Sequence, residues 1–190
     1  MNAANISPQL QQVLNAFQAT PGLAPVQYQN LLAAITETPE LLQTMNLAAA
    51  QDRLRHIAFL SPRQSGSAAY SSNEKTVYLG DSHLHFLGRE TRKVEMIGTL
   101  GHEIQHAFFR ETAETAQVTL HNEVRALSTS GQPAIDYTAA ALKYQQVGRM
   151  DESQAAMTGW NMAVSYLQAK DPNSPVTLEK IYTNYERSAG

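Results

Sequence analysis

Two histidines and a glutamate stand together in the segment Gly101-His102-Glu103-Ile104-Gln105-His106, which has the pattern H-E-x-x-H. On a helix, His102 and His106 would lie about 6 Å apart along the axis and on one face, so both imidazoles could bind one metal ion. The carboxylate of Glu103 would then reach a water on that metal and act as a general base. Because zinc lowers the pKa of such a water to about 7, the pattern predicts one Zn²⁺ ion per chain and a hydrolytic reaction.

A catalytic zinc ion needs a third protein ligand and one open position. A third histidine six residues after His106 is excluded, because residue 112 is a threonine. A later glutamate is the remaining common solution, and Glu123 and Glu152 both begin an E-x-x-A sequence. Glu152 is followed by the small residues Ala155, Ala156 and Gly159. Small residues would let their helix approach the motif helix closely, which favours Glu152 and leaves Glu123 open.

Three further histidines and a tyrosine could add to such a site. His83 and His85 alternate along the chain and could bind a second metal ion, but the pattern favours polar side chains on an exposed loop or strand. His121 and Tyr137 could each donate a hydrogen bond to the oxyanion that forms during peptide hydrolysis. Ordinary packing or capping is the favoured interpretation of both residues.

The composition excludes several classes of protein. With 14 Lys and Arg against 17 Asp and Glu, the net charge of -3 does not provide the basic surface of a nucleic-acid-binding protein. The absence of cysteine excludes disulfides, thiolate zinc sites and cysteine nucleophiles. No apolar run is long enough for a membrane-spanning helix, and the first residues lack the features of a secretory signal peptide. We expect no nucleic-acid partner, no membrane span and, for action outside the cytoplasm, a route independent of a signal peptide.

The elements that must position the motif are mostly helices. Proline follows Ser or Thr at Ser7, Thr38 and Ser174, which is typical of helix starts. Helical spacing of apolar residues predicts a helical segment over residues 1–52. Aromatic and β-branched runs predict two or three strands over 55–80, with a hairpin around 66–79. Further helices are predicted within 90–186, at residues 90–110, 113–129, 134–147, 150–169 and 175–186. The expected architecture is a single α+β domain over 1–190.

Several segments of the chain resemble a group of bacterial zinc metallopeptidase toxins. The segments are residues 97–106, Asp136-Tyr137-Thr138 and the stretch from Asp151 to Asn161. Such toxins occur as C-terminal extensions of VgrG spike proteins and as related effectors of type VI secretion. The similarity runs from the N-terminal helices to the helix of Trp160. In that family the glutamate of the later segment is the third zinc ligand, which corresponds here to Glu152.

The resemblance implies a compact zincin-like, gluzincin-type core with a small antiparallel sheet before the active-site helix. It also implies a peptidase in which His102, His106 and Glu152 hold zinc and Glu103 is the general base. The expected function is that of an antibacterial or host-directed toxin that reaches a target-cell periplasm. The expected partners are a peptide or protein substrate, a cognate immunity protein and a secretion spike. The alternatives are an amidase of cell-wall peptides and a non-enzymatic helical binding module with a vestigial site. A long open groove would favour protein substrates, and a short closed pocket the cell wall.

Overall fold

The computed structural model describes residues 5–61, 67–85, 90–132, 134–177 and 179–181. Helices dominate these residues, with one small three-stranded sheet, so the predicted α+β class is confirmed. The elements in chain order are α1 Pro8–Gln18, α2 Pro25–Thr36, α3 Pro39–Ala50, β1 His56–Phe59, β2 Ala68–Ser71, β3 Thr76–Leu79, α4 Asp81–Leu84, α5 Glu90–Ser128 and α6 Thr138–Lys170. None of the helices in the described part of the chain has the length and apolar content needed to cross a bilayer.

The first three helices each begin at a proline, as two of the predicted start signals require. At α1 the side-chain oxygen of Ser7 accepts a hydrogen bond from the Leu10 N–H at 3.2 Å, which satisfies one unpaired donor of the first turn. The third start signal precedes residues 179–181, which are helical, and Ile181 is buried. Residues 175–177 are not helical, so the helix predicted at 175–186 begins later than expected, and residues 178 and 182–186 lie outside the described residues.

The sheet has the strand order β1-β3-β2. Strands β2 and β3 form the predicted antiparallel hairpin, with Ala69 opposite Tyr78. The expectation of a wholly antiparallel sheet was wrong, because β1 pairs with β3 in parallel, with Ile57 beside Val77. The reason is that the chain reverses twice. Strand β2 runs opposite to β1, and the hairpin turn reverses the chain again, so β3 runs in the same direction as β1.

Helices α5 and α6 are each continuous where the sequence predicted two shorter helices. The predicted breaks lay near residues 111–112 and 148–149, but α5 spans 39 residues and α6 spans 33. Neither junction contains a proline. Gly148 has no atom near the position of a Cβ, and one solvent-facing glycine costs a helix only about 1 kcal/mol. A long helix can carry that cost.

The hydrophobic core joins α1, α2 and α3 with the sheet and with one half of each long helix. Val94, Ile97, Leu100 and Ile104 on α5 are buried, and Met162 and Tyr166 on α6 belong to the same core. The other halves of the two helices, residues 111–128 and 138–150, form a two-helix arm. Within these two stretches Ala140 is the one residue the structure buries. The arm therefore extends beyond the core.

Glycines lie where α5 and α6 approach each other. A Cβ on Gly159 would lie 2.3 Å from the carbonyl oxygen of Gly98, and one on Gly101 would lie 2.5 Å from the Sδ atom of Met162. Both distances are shorter than van der Waals contact. The two backbones are therefore packed as closely as the small residues of α6 predicted.

We predict that Gly159→Ala destabilises the protein, because its methyl group would collide with backbone that cannot move without separating the helices. Overpacking of this kind costs about 1–3 kcal/mol in the free energy of unfolding. The matched control is Gly148→Ala on the same helix, where the Cβ position is open. The control is expected to gain about 0.5–1 kcal/mol from better helix propensity. Urea unfolding of both variants checks this, and equal shifts in the same direction would contradict the close packing.

Candidate metal centre

The structure brings His102, His106 and Glu152 together as a group that could hold a metal ion. One ligand atom from each residue lies within 4.8 Å of the others. The Nε2 atoms of the histidines are 3.1 Å apart, and carboxylate oxygens of Glu152 lie 3.5 Å from Nε2 of His102 and 3.9 Å from Nε2 of His106. Ligand atoms that bind one zinc tetrahedrally at 2.0–2.1 Å are about 3.3 Å apart. The three side chains therefore have nearly the spacing that a zinc ion requires.

Two helices supply the three groups. His102 and His106 lie one turn apart on α5, and Glu152 comes from α6, which is packed against it. The contact of Gly98 with Gly159 lies about one turn from His102 and about two turns from Glu152. The close approach of the backbones therefore lets the glutamate side chain reach the imidazoles.

Asp151 contacts His106 on the ring nitrogen that is not directed at the other candidate ligands. Its carboxylate oxygen lies 2.9 Å from Nδ1 of His106, and the side chain is mostly buried. This contact places the imidazole proton on Nδ1 and leaves the lone pair of Nε2 facing the site. The sequence analysis named Asp151 only as part of a longer segment and missed this role. The available signal was that a metal-binding histidine needs a partner for its second nitrogen, and Asp151 adjoins the proposed ligand Glu152.

Glu103 is buried beside the ligand group, with 8% of its surface exposed. Burial raises its pKa, while the charge of His106 and a hydrogen bond from the backbone N–H of Tyr70 act in the opposite direction. Its carboxylate is therefore a stronger base than one in water. Burial also lowers the pKa of His102, and the neighbouring His106 adds to this shift. The lower pKa favours the neutral imidazole that a metal ion needs.

One edge of the sheet is open towards this site. The N–H of Gly80 donates to the carbonyl of Ser67, so residues 67 and 80 form a hydrogen-bonded pair. Because such pairs alternate along an antiparallel ladder, the N–H and C=O groups of Ala68 and Tyr70 point away from β3. The Tyr70 N–H reaches Glu103 in this direction. The outer edge of β2 thus runs alongside the candidate metal ligands.

Cavities lie on both sides of the ligand group. The larger, about 560 Å³, is lined by β2, by α5 from His102 to Gln117 and by Tyr144 and Asp151 of α6. The smaller, about 350 Å³, lies between Ser67, the glycine contact and Trp160. His102 and Glu103 line both cavities. The site is therefore the middle of an open groove.

Glu123, the other candidate ligand, lies away from the histidines. It is on the arm and pairs with Lys143 at 2.7 Å. His121 is fifteen residues beyond His106 on the same helix, about 22 Å along its axis. Tyr137 precedes α6 at the same number of residues from Glu152. The structure therefore places neither candidate for the oxyanion near the site.

His83 and His85 do not form a second group. His83 belongs to the short helix α4 and is mostly buried, 3.5 Å from Glu95, so the expectation of an exposed position was wrong for this residue. The apolar Leu84 is fully buried and draws α4 onto the protein. The Gln27 amide donates to Nε2 of His85 at 2.9 Å. His83 thus lies beside Glu95 and His85 beside Gln27, away from any shared site. In the described ranges the one possible metal group is that of His102, His106 and Glu152.

Comparison of the chain with protein-family models, with curated proteins and with solved structures finds no match. The resemblance to the VgrG-linked toxins therefore remains an expectation from the residues that carry it. Function has to be argued from the geometry of the site.

We predict that Asp151→Asn lowers the affinity for Zn²⁺ about 10–100-fold, because His106 would lose the carboxylate that orients it. Glu152→Gln should weaken zinc binding further, since it removes a ligand. Glu123→Gln is the matched control and should leave the affinity unchanged, because Glu123 lies on the arm. Competition with a chromogenic chelator measures all three. Weaker binding by Glu123→Gln, with no loss in Glu152→Gln, would overturn the ligand assignment.

Proposed function

We propose that this protein is a zinc-dependent peptidase. The observation that carries the proposal is the convergence of two imidazoles and a carboxylate beside the buried Glu103. Two histidines and a glutamate form a common ligand set of catalytic zinc, with one position open. The chain has no cysteine, so thiolate ligands do not compete with this set. His102, His106 and Glu152 would hold the ion.

The residues around the ligand group have the roles that peptide hydrolysis requires. A bound zinc ion would acidify a water molecule and polarise the scissile carbonyl. Glu103 would accept a proton from the attacking water and pass it to the departing nitrogen. The burial that raises the pKa of Glu103 favours this proton uptake. Asp151 would keep His106 in the tautomer that binds the metal.

The outer edge of β2 would position the substrate. An extended peptide can pair with this edge as a further strand, using the N–H and C=O of Ala68 and the C=O of Tyr70. Main-chain pairing recognises the polypeptide backbone and tolerates many side chains. The scissile carbonyl would then lie between the edge strand and α5, where Glu103 can reach it.

We predict that Glu103→Ala abolishes most peptidase activity while zinc affinity and stability stay near those of the parent protein. Loss of a general base typically costs about 10²–10⁴-fold in rate. A chelator should inactivate the parent protein, and added zinc should restore the parent but not the variant. Fluorogenic peptide libraries and zinc titration measure the two properties separately. Parental activity in Glu103→Ala would show that this carboxylate does not act as the base.

We further propose that the peptidase acts as a toxin in the target-cell periplasm, on the basis of the resemblance described above. Lack of cysteine is compatible with an oxidising compartment. This part of the proposal includes a cognate immunity protein and a secretion spike as partners.

We predict growth arrest when the protein is expressed in a bacterium with a periplasmic signal fused to it, and little harm without the signal. The periplasmic Glu103→Ala protein is the control and should be harmless. Growth curves with immunoblots for equal expression provide the measurement. Equal toxicity from both compartments would remove the periplasmic proposal and leave the peptidase proposal standing. Toxicity from neither would remove the antibacterial proposal.

A further inference from the structure

The groove of the candidate site continues along the two-helix arm. Beyond the metal ligands, its larger cavity is lined by Arg110, Glu114 and Gln117 on α5 and by Tyr144 on α6. The three residues of α5 lie past the part of that helix that is buried in the core, and Tyr144 lies on the half of α6 that forms the arm. The arm therefore provides one wall of the same groove that contains Glu103 and the ligand group.

The length of this groove can be read from α5, which lines it on both sides of the site. The smaller cavity begins at Gly98 and the larger one reaches Gln117. Nineteen residues of α-helix span about 28 Å. An extended peptide advances about 3.3 Å per residue, so the groove can hold roughly eight residues. Short stem peptides of the bacterial cell wall would leave much of it empty.

The two ends of the groove differ in chemistry. The arm end is polar, since Arg110 pairs with Glu114 at 2.6 Å and Gln117 and Tyr144 also line it. The other end is lined by Ser67, Thr99, Ala156 and Trp160 beside the contact of Gly98 with Gly159. The backbones of the two glycines touch, so this contact leaves no space for a substrate side chain between them.

We infer that the substrate is an extended polypeptide segment of about eight residues, of which the residues on one side of the scissile bond lie along the arm. This inference rests on the proposed peptidase function and names its substrate class. The arm is assigned to the peptide by continuity, because among the described residues the two cavities extend the site in both directions from a peptide paired with β2. The arm residues Gln117 and Tyr144 are thus specificity determinants.

The experiment begins with a library of peptides of about ten residues. Cleavage by the zinc-loaded parent protein identifies a substrate sequence in this library. That sequence is then shortened stepwise from either end, and the dissociation constant of each peptide is measured with zinc-loaded Glu103→Ala protein. Calorimetry gives the affinity, and the fluorescence of Trp160, the one tryptophan of the chain, reports on its end of the groove. We expect the affinity to rise with length up to about eight residues.

Tyr144→Ala, added to Glu103→Ala, tests the arm directly. Tyr144 is 42% exposed, so its loss should leave the fold intact. We expect about tenfold weaker binding of the full-length peptide and unchanged binding of peptides that lack the arm-side residues. Leu142→Ala is the matched control, because Leu142 is 55% exposed on the arm but does not line the groove. It should bind all peptides normally.

Several outcomes would overturn the inference while leaving the peptidase proposal intact. One is an equal affinity for long and short peptides, and another is an equal loss of peptide affinity in Tyr144→Ala and Leu142→Ala. A third is sedimentation of the peptide-free protein as a dimer that is held together through the arm. Weaker binding of every peptide by Tyr144→Ala would also overturn it, because that result indicates a structural role. Failure of the parent protein to cleave any library peptide would instead overturn the proposed function, and the inference with it.

Discussion

The contact between the backbones of Gly98 and Gly159 fixes the geometry on which the site depends. A side chain at either helix surface would hold α5 and α6 apart, since even one Cβ at Gly159 would lie 2.3 Å from a carbonyl oxygen. A slip of one residue along α6 would move Glu152 by about 1.5 Å and turn it about 100° from the histidines. The three candidate ligands therefore remain together because packing elsewhere prevents that slip.

The electrostatics of the site follow from the same packing. Two imidazole nitrogens lie 3.1 Å apart, and burial shifts the pKa values of Glu103 upwards and of His102 downwards. Asp151 keeps the proton of His106 on Nδ1, so Nε2 presents a lone pair towards His102 and Glu152. Nε2 of His102 lies within hydrogen-bond distance of that lone pair, and a divalent cation between the three groups would be attracted to all of them. The group could therefore hold a metal ion.

The sequence predicted the α+β class and which three candidate ligands lie together, but less of how the elements connect. The separation of four residues between His102 and His106 is a local property of one helix. The small residues after Glu152 already indicated that a second helix packs closely against it. Asp151 was missed because its role depends on which neighbour the side chain meets. The parallel pairing of β1 with β3 depends on the path between strands, which periodicity does not record. The predicted breaks in α5 and α6 failed because the arm lacks the continuous apolar stripe that marks a helix packed on a core.

The arm is helical for a different reason than the other helical parts of the protein are. Forming the first turn is the unfavourable step in a helix, and for α5 and α6 the core provides that turn. Each further residue then adds a hydrogen bond at little cost, even though the arm buries only Ala140 among the residues of its two stretches. Surface pairs such as Arg110 with Glu114 and Lys143 with Glu123 add little, because exposed ion pairs are screened by solvent. The arm should therefore open locally more easily than the glycine contact at its base. A peptide bound between β2 and the arm would add contacts where the protein has fewest, so a long substrate would stabilise the groove that holds it.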